Sequence, residues 1–147
     1  MILLSRRGYL ALAAVADIAI HARTAPVAAK ALAARLDLPP RHLEALLQGL
    51  VHANILKGVR GPRGGYELAR ERRRITAASV LRSVSGENGT EQATNCRLVT
   101  EVVAPIVEAA GKVFLDELNT ITLDDICRRM EDLKLCDEKS LGPDFAI

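Results

Sequence analysis

Apolar residues recur at helical spacing through the first third of the chain, and turn-forming residues separate the periodic segments. The pattern predicts one helix over residues 6–22 and a shorter one from about Val27 to Leu36. Pro26 lies between them. Because proline lacks an amide donor and disfavours helical geometry in the preceding residue, it ends the first helix.

The next segment has the clearest amphipathic pattern in the sequence. A third helix begins near Pro40, since proline is tolerated in the first turn. Its predicted buried face follows the i, i+3, i+4, i+7, i+8 pattern: Leu43, Leu46, Leu47, Leu50 and Val51. Its predicted exposed face is polar or small: Arg41, His42, Glu44, Ala45, Gln48 and His52. Two short helices in this order are typical of a helix-turn-helix, although any small helical hairpin would give the same pattern.

Two short extended runs follow, joined by a turn rich in glycine and proline. Residues 55–59 and 66–68 therefore predict a β-hairpin. Its tip consists of Arg60, Gly61, Pro62 and Arg63. Proline stiffens such a tip, and glycine permits backbone conformations closed to other residues. Because arginine is attracted to the negative potential of a narrow minor groove, the hairpin is a candidate DNA-binding wing.

The second half of the chain is predicted to contain three helices. One is capped by Thr76 and stops at Gly86, one spans about residues 98–118, and the last begins at Thr122. Between the first two, residues 86–95 hold no large apolar side chain, which predicts an exposed, mobile loop.

The 98–118 helix has a broad apolar face. Such a helix is commonly a dimer element, and an intrachain core helix is the alternative. Pro105 falls within it, so the helix either starts there or kinks.

Charge is divided between the two halves of the chain. Residues 1–74 hold 13 Lys and Arg against 5 Asp and Glu, a net charge of +8, whereas residues 75–147 hold 7 against 13, a net charge of −6. This division favours a basic unit that binds a polyanion and a second unit that associates with a copy of itself, although a solvated surface of mixed charge is also compatible. The basic run from Arg70 to Arg74 is either a solvated linker or a further set of phosphate contacts.

Several classes of protein are disfavoured. The 147 residues lack an uninterrupted apolar run long enough to span a membrane and a signal-type cleavage pattern, so a cytoplasmic protein without a membrane association is expected. The three histidines lie in the basic half and the three cysteines in the acidic half. No nucleophile–base pair or metal-ligand spacing is visible, so catalysis is not expected. Cys127 lies on an apolar helix face and is predicted to be buried, whereas Cys136 is predicted to be exposed.

In the order of these elements the chain resembles the IscR/NsrR/CymR family of bacterial winged-helix transcription regulators. The likeness covers nearly the whole chain. Its most specific part runs from Ala53 to Ala69, and the segments 43–47 and 121–123 also match. The resemblance implies a mainly α fold with a small β-hairpin wing: a winged helix-turn-helix DNA-binding domain (1–85), a mobile sensor loop (86–97), and a long dimerisation helix with a C-terminal helix (98–147). It further implies a homodimer that binds palindromic double-stranded DNA, usually as a repressor.

The resemblance also assigns residues. Pro40, Arg41, Glu44 and Ala45 match the family's base-reading region, and His42 and Gln48 share their exposed face. Arg60, Gly61 and Arg63 match its wing contacts, with Pro62 between them. The alternative function is a winged-helix protein-interaction module that is regulated by an enzyme partner and does not bind an operator.

The sequence indicates the signal that the regulator senses less clearly than it indicates the DNA contacts. Many relatives carry three cysteines that hold an iron–sulfur cluster in the 86–97 region, but here only Cys96 is present, at the end of the 86–95 loop. The first helix begins with Arg6, Arg7 and Gly8 and offers no obvious carboxylate ligand. Cys96 is therefore a candidate sensor thiol, or the one cluster ligand that can be named, and the regulator is expected to answer a redox, iron–sulfur or metabolic signal.

Overall fold

The computed structural model describes residues 5–85 and 96–136. Within these ranges the elements, in chain order, are α1 (Arg6–His21), α2 (Ala29–Leu36), α3 (Pro40–His52), β1 (Leu56–Val59), β2 (Gly65–Leu68), α4 (Ala77–Val84), a π-helical turn (Val99–Val103), α5 (Ala104–Leu118) and α6 (Leu123–Asp132). The two strands pair antiparallel, with Leu56 opposite Leu68 and Val59 opposite Gly65. The predicted mainly α fold with a β-hairpin is confirmed.

Helix α1 lies at the centre of the core. It packs against α2, α3, α4, α6 and β2. Its buried face alternates large residues such as Val15 and Ile18 with Ala11 and Ala14, and all four side chains are inaccessible to solvent. Because the spacing between packed helices depends on the side chains at the contact, the alanines allow neighbouring helices to approach α1 closely.

A buried ion pair fixes α2 against α1. Arg35 donates from Nε to Asp17 Oδ2 and from Nη2 to Asp17 Oδ1, both at 2.8 Å, and the Asp17 side chain is 3% exposed. His21 Nδ1 lies 2.9 Å from the Asp17 carbonyl oxygen and 3.4 Å from its carboxylate. A bidentate arginine–carboxylate pair is geometrically specific, so it defines the angle of α2 and hence the approach to α3.

The chain enters α2 later than the periodicity predicts. The helix begins at Ala29 rather than Val27, because Val27 pairs with Tyr66 of β2. Its amide donates to the Tyr66 carbonyl at 2.9 Å, and its carbonyl accepts from the Tyr66 amide at 2.8 Å. The predicted start was wrong because a long-range backbone pairing holds Val27 in an extended conformation.

Helix α3 follows its predicted pattern except at one end. Leu43, Leu46, Leu47 and Leu50 are buried. Val51, predicted to lie on the same face, is 37% exposed. The helix ends one residue later, and Asn54, with φ of 59°, turns the chain into β1 before anything covers Val51.

The segment that leaves the hairpin is joined to α6. The Leu123 amide donates to the Ile75 carbonyl at 2.7 Å, and the Ala77 amide donates to the Ile121 carbonyl at 2.8 Å. The buried Asp124 carboxylate lies 2.8 Å from Arg72 Nε and 2.9 Å from Arg128 Nη2. The two backbone bonds and the Asp124–Arg72 pair hold the start of α6 against the basic segment that follows the hairpin, whereas the Asp124–Arg128 pair lies within α6.

The π-helical turn and α5 form one long helical segment with little cover. The Ala104 amide donates to the Val99 carbonyl, and this wider turn accommodates Pro105, whose ring would clash with a carbonyl of a regular preceding turn. No residue of α5 is buried. None of the helices in residues 5–85 and 96–136 has the length and apolar character needed to cross a membrane.

Loss of the buried ion pair is expected to destabilise the fold. Arg35→Ala leaves the Asp17 carboxylate buried without its main partner, which should lower the free energy of unfolding by about 3–5 kcal/mol. Urea denaturation followed by circular dichroism measures this. The matched control is Arg23→Ala, which removes an exposed ion pair with Glu131 and should leave the midpoint nearly unchanged. Equal midpoints for the two variants would contradict the proposed role of Asp17–Arg35.

Candidate nucleic-acid interface

The face of α3 opposite the core is exposed along its whole length. All six of the sequence-predicted residues on this helix lie there: Pro40, Arg41, His42, Glu44, Ala45 and Gln48. The helix begins after Pro39, and no side chain in the described part of the chain caps it. The first amides of a helix carry a partial positive charge, so the uncapped end favours an anion.

A basic cleft lies beside this end of α3. It has a volume of about 540 Å³ and is bordered by α1 and α3. Its basic lining residues are Arg6, Arg7, Arg41 and His42. The two arginines of α1 are absent from the sequence-predicted interface, because nothing in the local pattern relates the start of α1 to α3.

The hairpin tip is defined by close backbone approaches. Gly61 has φ of +114°, a conformation that L side chains rarely adopt, and its carbonyl accepts the Gly64 amide at 2.9 Å. A Cβ atom at Gly64 would collide with the carbonyl oxygen of Val59, and one at Gly65 would collide with that of Val27. These glycines hold the tip compact, while Arg60, Pro62 and Arg63 are exposed.

The arginines of the basic half divide into two groups. Arg70 donates to the Asn54 carbonyl at 3.2 Å, and Arg72 pairs with Asp124, so both have partners within the chain. By contrast, three arginine side chains make no hydrogen bond or ion pair with any group in residues 5–85 and 96–136: those of Arg41, Arg60 and Arg63. The unpaired guanidinium groups on α3 and on the hairpin tip are therefore available to an anionic partner.

The cysteines occupy three different environments. Cys96 is exposed, Cys127 is fully buried as predicted, and Cys136 is half-buried against the core, although it was predicted to be exposed. Burial raises the pKa of the Cys127 thiol, and nearby Arg72 partly opposes this. Arg97, next to Cys96, is engaged elsewhere, because its Nε and Nη2 donate to Glu101 at 2.9 and 3.0 Å.

The described residues do not fit an iron–sulfur cluster. No three Cys, His, Asp or Glu side chains in residues 5–85 and 96–136 are grouped closely enough to hold a metal ion. The predicted sensor loop falls mostly on residues 86–95, which lie outside the described residues. Within the described chain, Cys96 thus has no neighbouring set of ligands.

Comparison with known proteins gives one consistent result. Residues 4–129 match the Rrf2 family, described as iron-dependent transcriptional regulators. The HTH-type transcriptional regulator IscR of Vibrio parahaemolyticus is 27% identical over 148 residues, which cover 95% of this chain and 85% of that protein.

Solved structures agree with the sequence match. IscR of T. potens superposes with a TM-score of 0.72 and is 31% identical, covering 89% of this chain and 90% of its own. CymR, the global cysteine regulator of B. subtilis, has a TM-score of 0.66 and 26% identity, covering 88% of this chain and 98% of its own. The hairpin and α3 thus correspond to the wing and helix-turn-helix of a winged-helix regulator fold.

A methyl group at Gly64 is expected to disturb the hairpin, whereas one at Gly58 is not. Gly64→Ala forces the added atom into the backbone of Val59, which should cost about 1–3 kcal/mol of stability. Gly58→Ala is the matched control, because no atom lies within 4 Å of its added Cβ. Urea denaturation, with amide chemical shifts of the hairpin as a second readout, tests the difference. Identical shifts and midpoints for both variants would contradict the observed tip packing.

Proposed function

The chain belongs to the Rrf2 family of transcriptional regulators, and from this premise we propose that it is a homodimeric repressor that binds a palindromic operator through α3 and the hairpin wing. As a member of this family it is a DNA-binding transcription regulator and not an enzyme. The alternative of a protein-interaction module without operator binding is not favoured.

The observation that carries this proposal is the set of unpaired arginines on α3 and on the hairpin tip. An α-helix fits the major groove, which is about 12 Å wide, and its side chains reach base edges there. Glu44 and Gln48 suit base reading, because a carboxylate accepts from cytosine N4 and a glutamine amide pairs with adenine N6 and N7. Arg41 and the uncapped start of α3 suit phosphate.

The wing is assigned to a different part of the DNA from α3. Arg60 and Arg63 lie at the compact tip that Gly61, Gly64 and Gly65 define. We assign them to the adjacent minor groove, where the negative potential of a narrow groove attracts guanidinium groups. Gly61 and Pro62 contribute shape, because neither places a long side chain between the two arginines.

The long helical segment supplies the dimer contact. Ile106 is 67% exposed and Val113 is 70% exposed, and further apolar residues of this segment are uncovered: Leu98, Val102, Val103 and Val107. A contiguous apolar surface of this kind marks an interaction site. A second copy of the same helix is its simplest partner, because a two-fold interface joins identical patches and presents two α3 helices to a palindrome.

The regulatory signal is assigned to the region of residues 86–97. Cys96 is the exposed thiol at its end, and it precedes the helical segment that carries the proposed dimer surface. Oxidation or modification of Cys96 would therefore act next to the element that sets the spacing of the two recognition helices. An iron–sulfur cluster is the second candidate for this signal, with Cys96 as its one assigned ligand.

Wing arginines are expected to contribute to affinity and to its salt dependence. For a duplex enriched from a random library, the double variant Arg60→Gln, Arg63→Gln should bind more weakly, with a shallower slope of log affinity against log salt by about 0.9 for each lost phosphate contact. Fluorescence anisotropy over a range of NaCl concentrations measures this. The matched control is Lys57→Gln, since Lys57 on the same hairpin already pairs with Glu67. Unchanged affinity in the double variant would remove the wing from the interface.

The proposed dimer should depend on α5. Ile106→Glu places a charge on the apolar segment and is expected to give a monomer by sedimentation velocity at micromolar concentration. Leu133→Glu, at another exposed apolar residue, is the matched control and should sediment like the parent protein. A dimer that persists in Ile106→Glu and dissociates in Leu133→Glu would move the interface to α6.

Protein purified without oxygen is expected to be colourless. Residues 86–96 contain one cysteine, whereas clusters are normally held by several thiolates. An ultraviolet–visible spectrum with an iron assay decides the point, and Cys136→Ser is the control for Cys96→Ser. Visible absorption with bound iron that disappears only in Cys96→Ser would establish the cluster instead.

A further inference from the structure

A second polar groove borders the recognition helix, apart from the basic cleft at its start. It lies between α3 and α4 and has a volume of about 630 Å³. Its α3 side is formed by positions 45, 48, 49 and 52, which fall on one stripe of the helix at i, i+3, i+4 and i+7. Its α4 side contributes Arg82 and Ser83.

The groove depends on a close contact between the two helices. Gly49 faces the carbonyl oxygen of Ser83, and a Cβ atom added at Gly49 would lie 3.4 Å from it. No side chain separates the helices at this point. Ser83 directs its hydroxyl to the Val80 carbonyl at 2.6 Å, so the groups left to bind a ligand are Gln48, His52 and Arg82.

The charge of the groove is positive. Its lining contains no acidic residue, and Arg82 is exposed. The Arg82 guanidinium forms no hydrogen bond or ion pair with any group in the described ranges. Glu108 and Asp116 of α5 line a neighbouring groove that Arg82 also borders, yet neither makes an ion pair with it. Arg82 thus resembles the unpaired arginines of α3 and the wing, not the paired Arg72.

We infer that Arg82, together with His52, binds one backbone phosphate of the DNA duplex on which α3 docks. The inference rests on the proposed operator binding. A helix about 10–12 Å in diameter nearly fills a major groove about 12 Å wide, so the residues along its sides face the phosphates that border the groove. A guanidinium and an imidazole suit a phosphate, which offers only acceptors at neutral pH.

Arg82 and the base-reading residues therefore have different roles. Gln48 lies at the border of the two surfaces, whereas Arg82 belongs to α4 and is outside the recognition helix. Its contact adds affinity without sequence preference, because phosphates are the same at every base step. Because Arg82 belongs to α4, which packs on α3 and α5, this contact also ties the position of α4 to that of the bound DNA.

The test uses the full-length protein and a duplex enriched from a random library. Arg82→Gln should reduce the slope of log affinity against log salt by about 0.9 for each subunit that makes the contact, with an unchanged preference among mutated duplexes. Arg82→Lys should keep the slope, since it keeps the charge. Arg23→Gln removes one charge from a distant exposed ion pair with Glu131 and should also keep it.

A second measurement locates the contact. Duplexes in which one phosphate at a time is replaced by a neutral methylphosphonate should reveal a position that weakens binding of the parent protein but not of Arg82→Gln. The same sensitive positions in both proteins, or an equal change of slope in Arg23→Gln, would overturn the inference. So would a lower urea midpoint of Arg82→Gln with an unchanged slope, which would assign Arg82 to the acidic residues of α5.

Failure of this inference differs from failure of the proposed function. If the parent protein enriches no duplex, operator binding itself is wrong. If the parent binds a duplex with a steep salt dependence and Arg82→Gln behaves identically, operator binding stands and only the role of the groove is lost.

Discussion

The ion pair between the buried carboxylate of Asp17 and the guanidinium of Arg35 determines how α2, and with it α3, is held against α1. A charge in the core is tolerated only with a well-placed partner, and the bidentate pair between α1 and α2 meets that demand with 2.8 Å bonds. Since α2 leads directly into α3, the angle at which this ion pair holds α2 also sets the orientation of α3. Asp124 has a similar function in the second half, where its pair with Arg72 holds α6 against the segment that leaves the wing, while Arg128 pairs with the same carboxylate within α6.

These two carboxylates also explain how one basic half can serve both stability and DNA binding. Arg35 and Arg72 are neutralised inside the chain, and Arg70 is used by a backbone carbonyl. Such groups have little to offer a phosphate. Guanidinium groups without internal partners in the described residues include those of Arg41 on α3, Arg60 and Arg63 on the hairpin tip, and Arg82 on α4. Pairing within the fold, more than position in a basic run, thus separates arginines that stabilise the fold from those that are free to bind an external anion.

The second half of the chain is arranged differently. The π-helical turn and α5 expose an apolar surface, while α6 returns to the core through Leu123 and Cys127. A helix that is attached at its far end and uncovered along most of its length is suited to joining two copies. Under the proposed function, a chemical change at Cys96 acts at the start of this segment. Helix α4 contacts both α3 and α5, so it can transmit a movement of α5 to α3 and thereby alter DNA binding.

The sequence by itself determined the features that depend on short-range periodicity. The buried stripe of α3 from Leu43 to Leu50 and the glycine-rich tip between two strands follow from backbone hydrogen bonding and turn sterics, which act over a few residues. The wing motif also carried the family resemblance that the comparisons confirm. Only the tertiary structure decided which distant groups meet. The extended conformation of Val27 against Tyr66, the capture of Arg72 by Asp124 and the meeting of Arg82 with α3 all join residues far apart in the chain, and no local pattern encodes such distances.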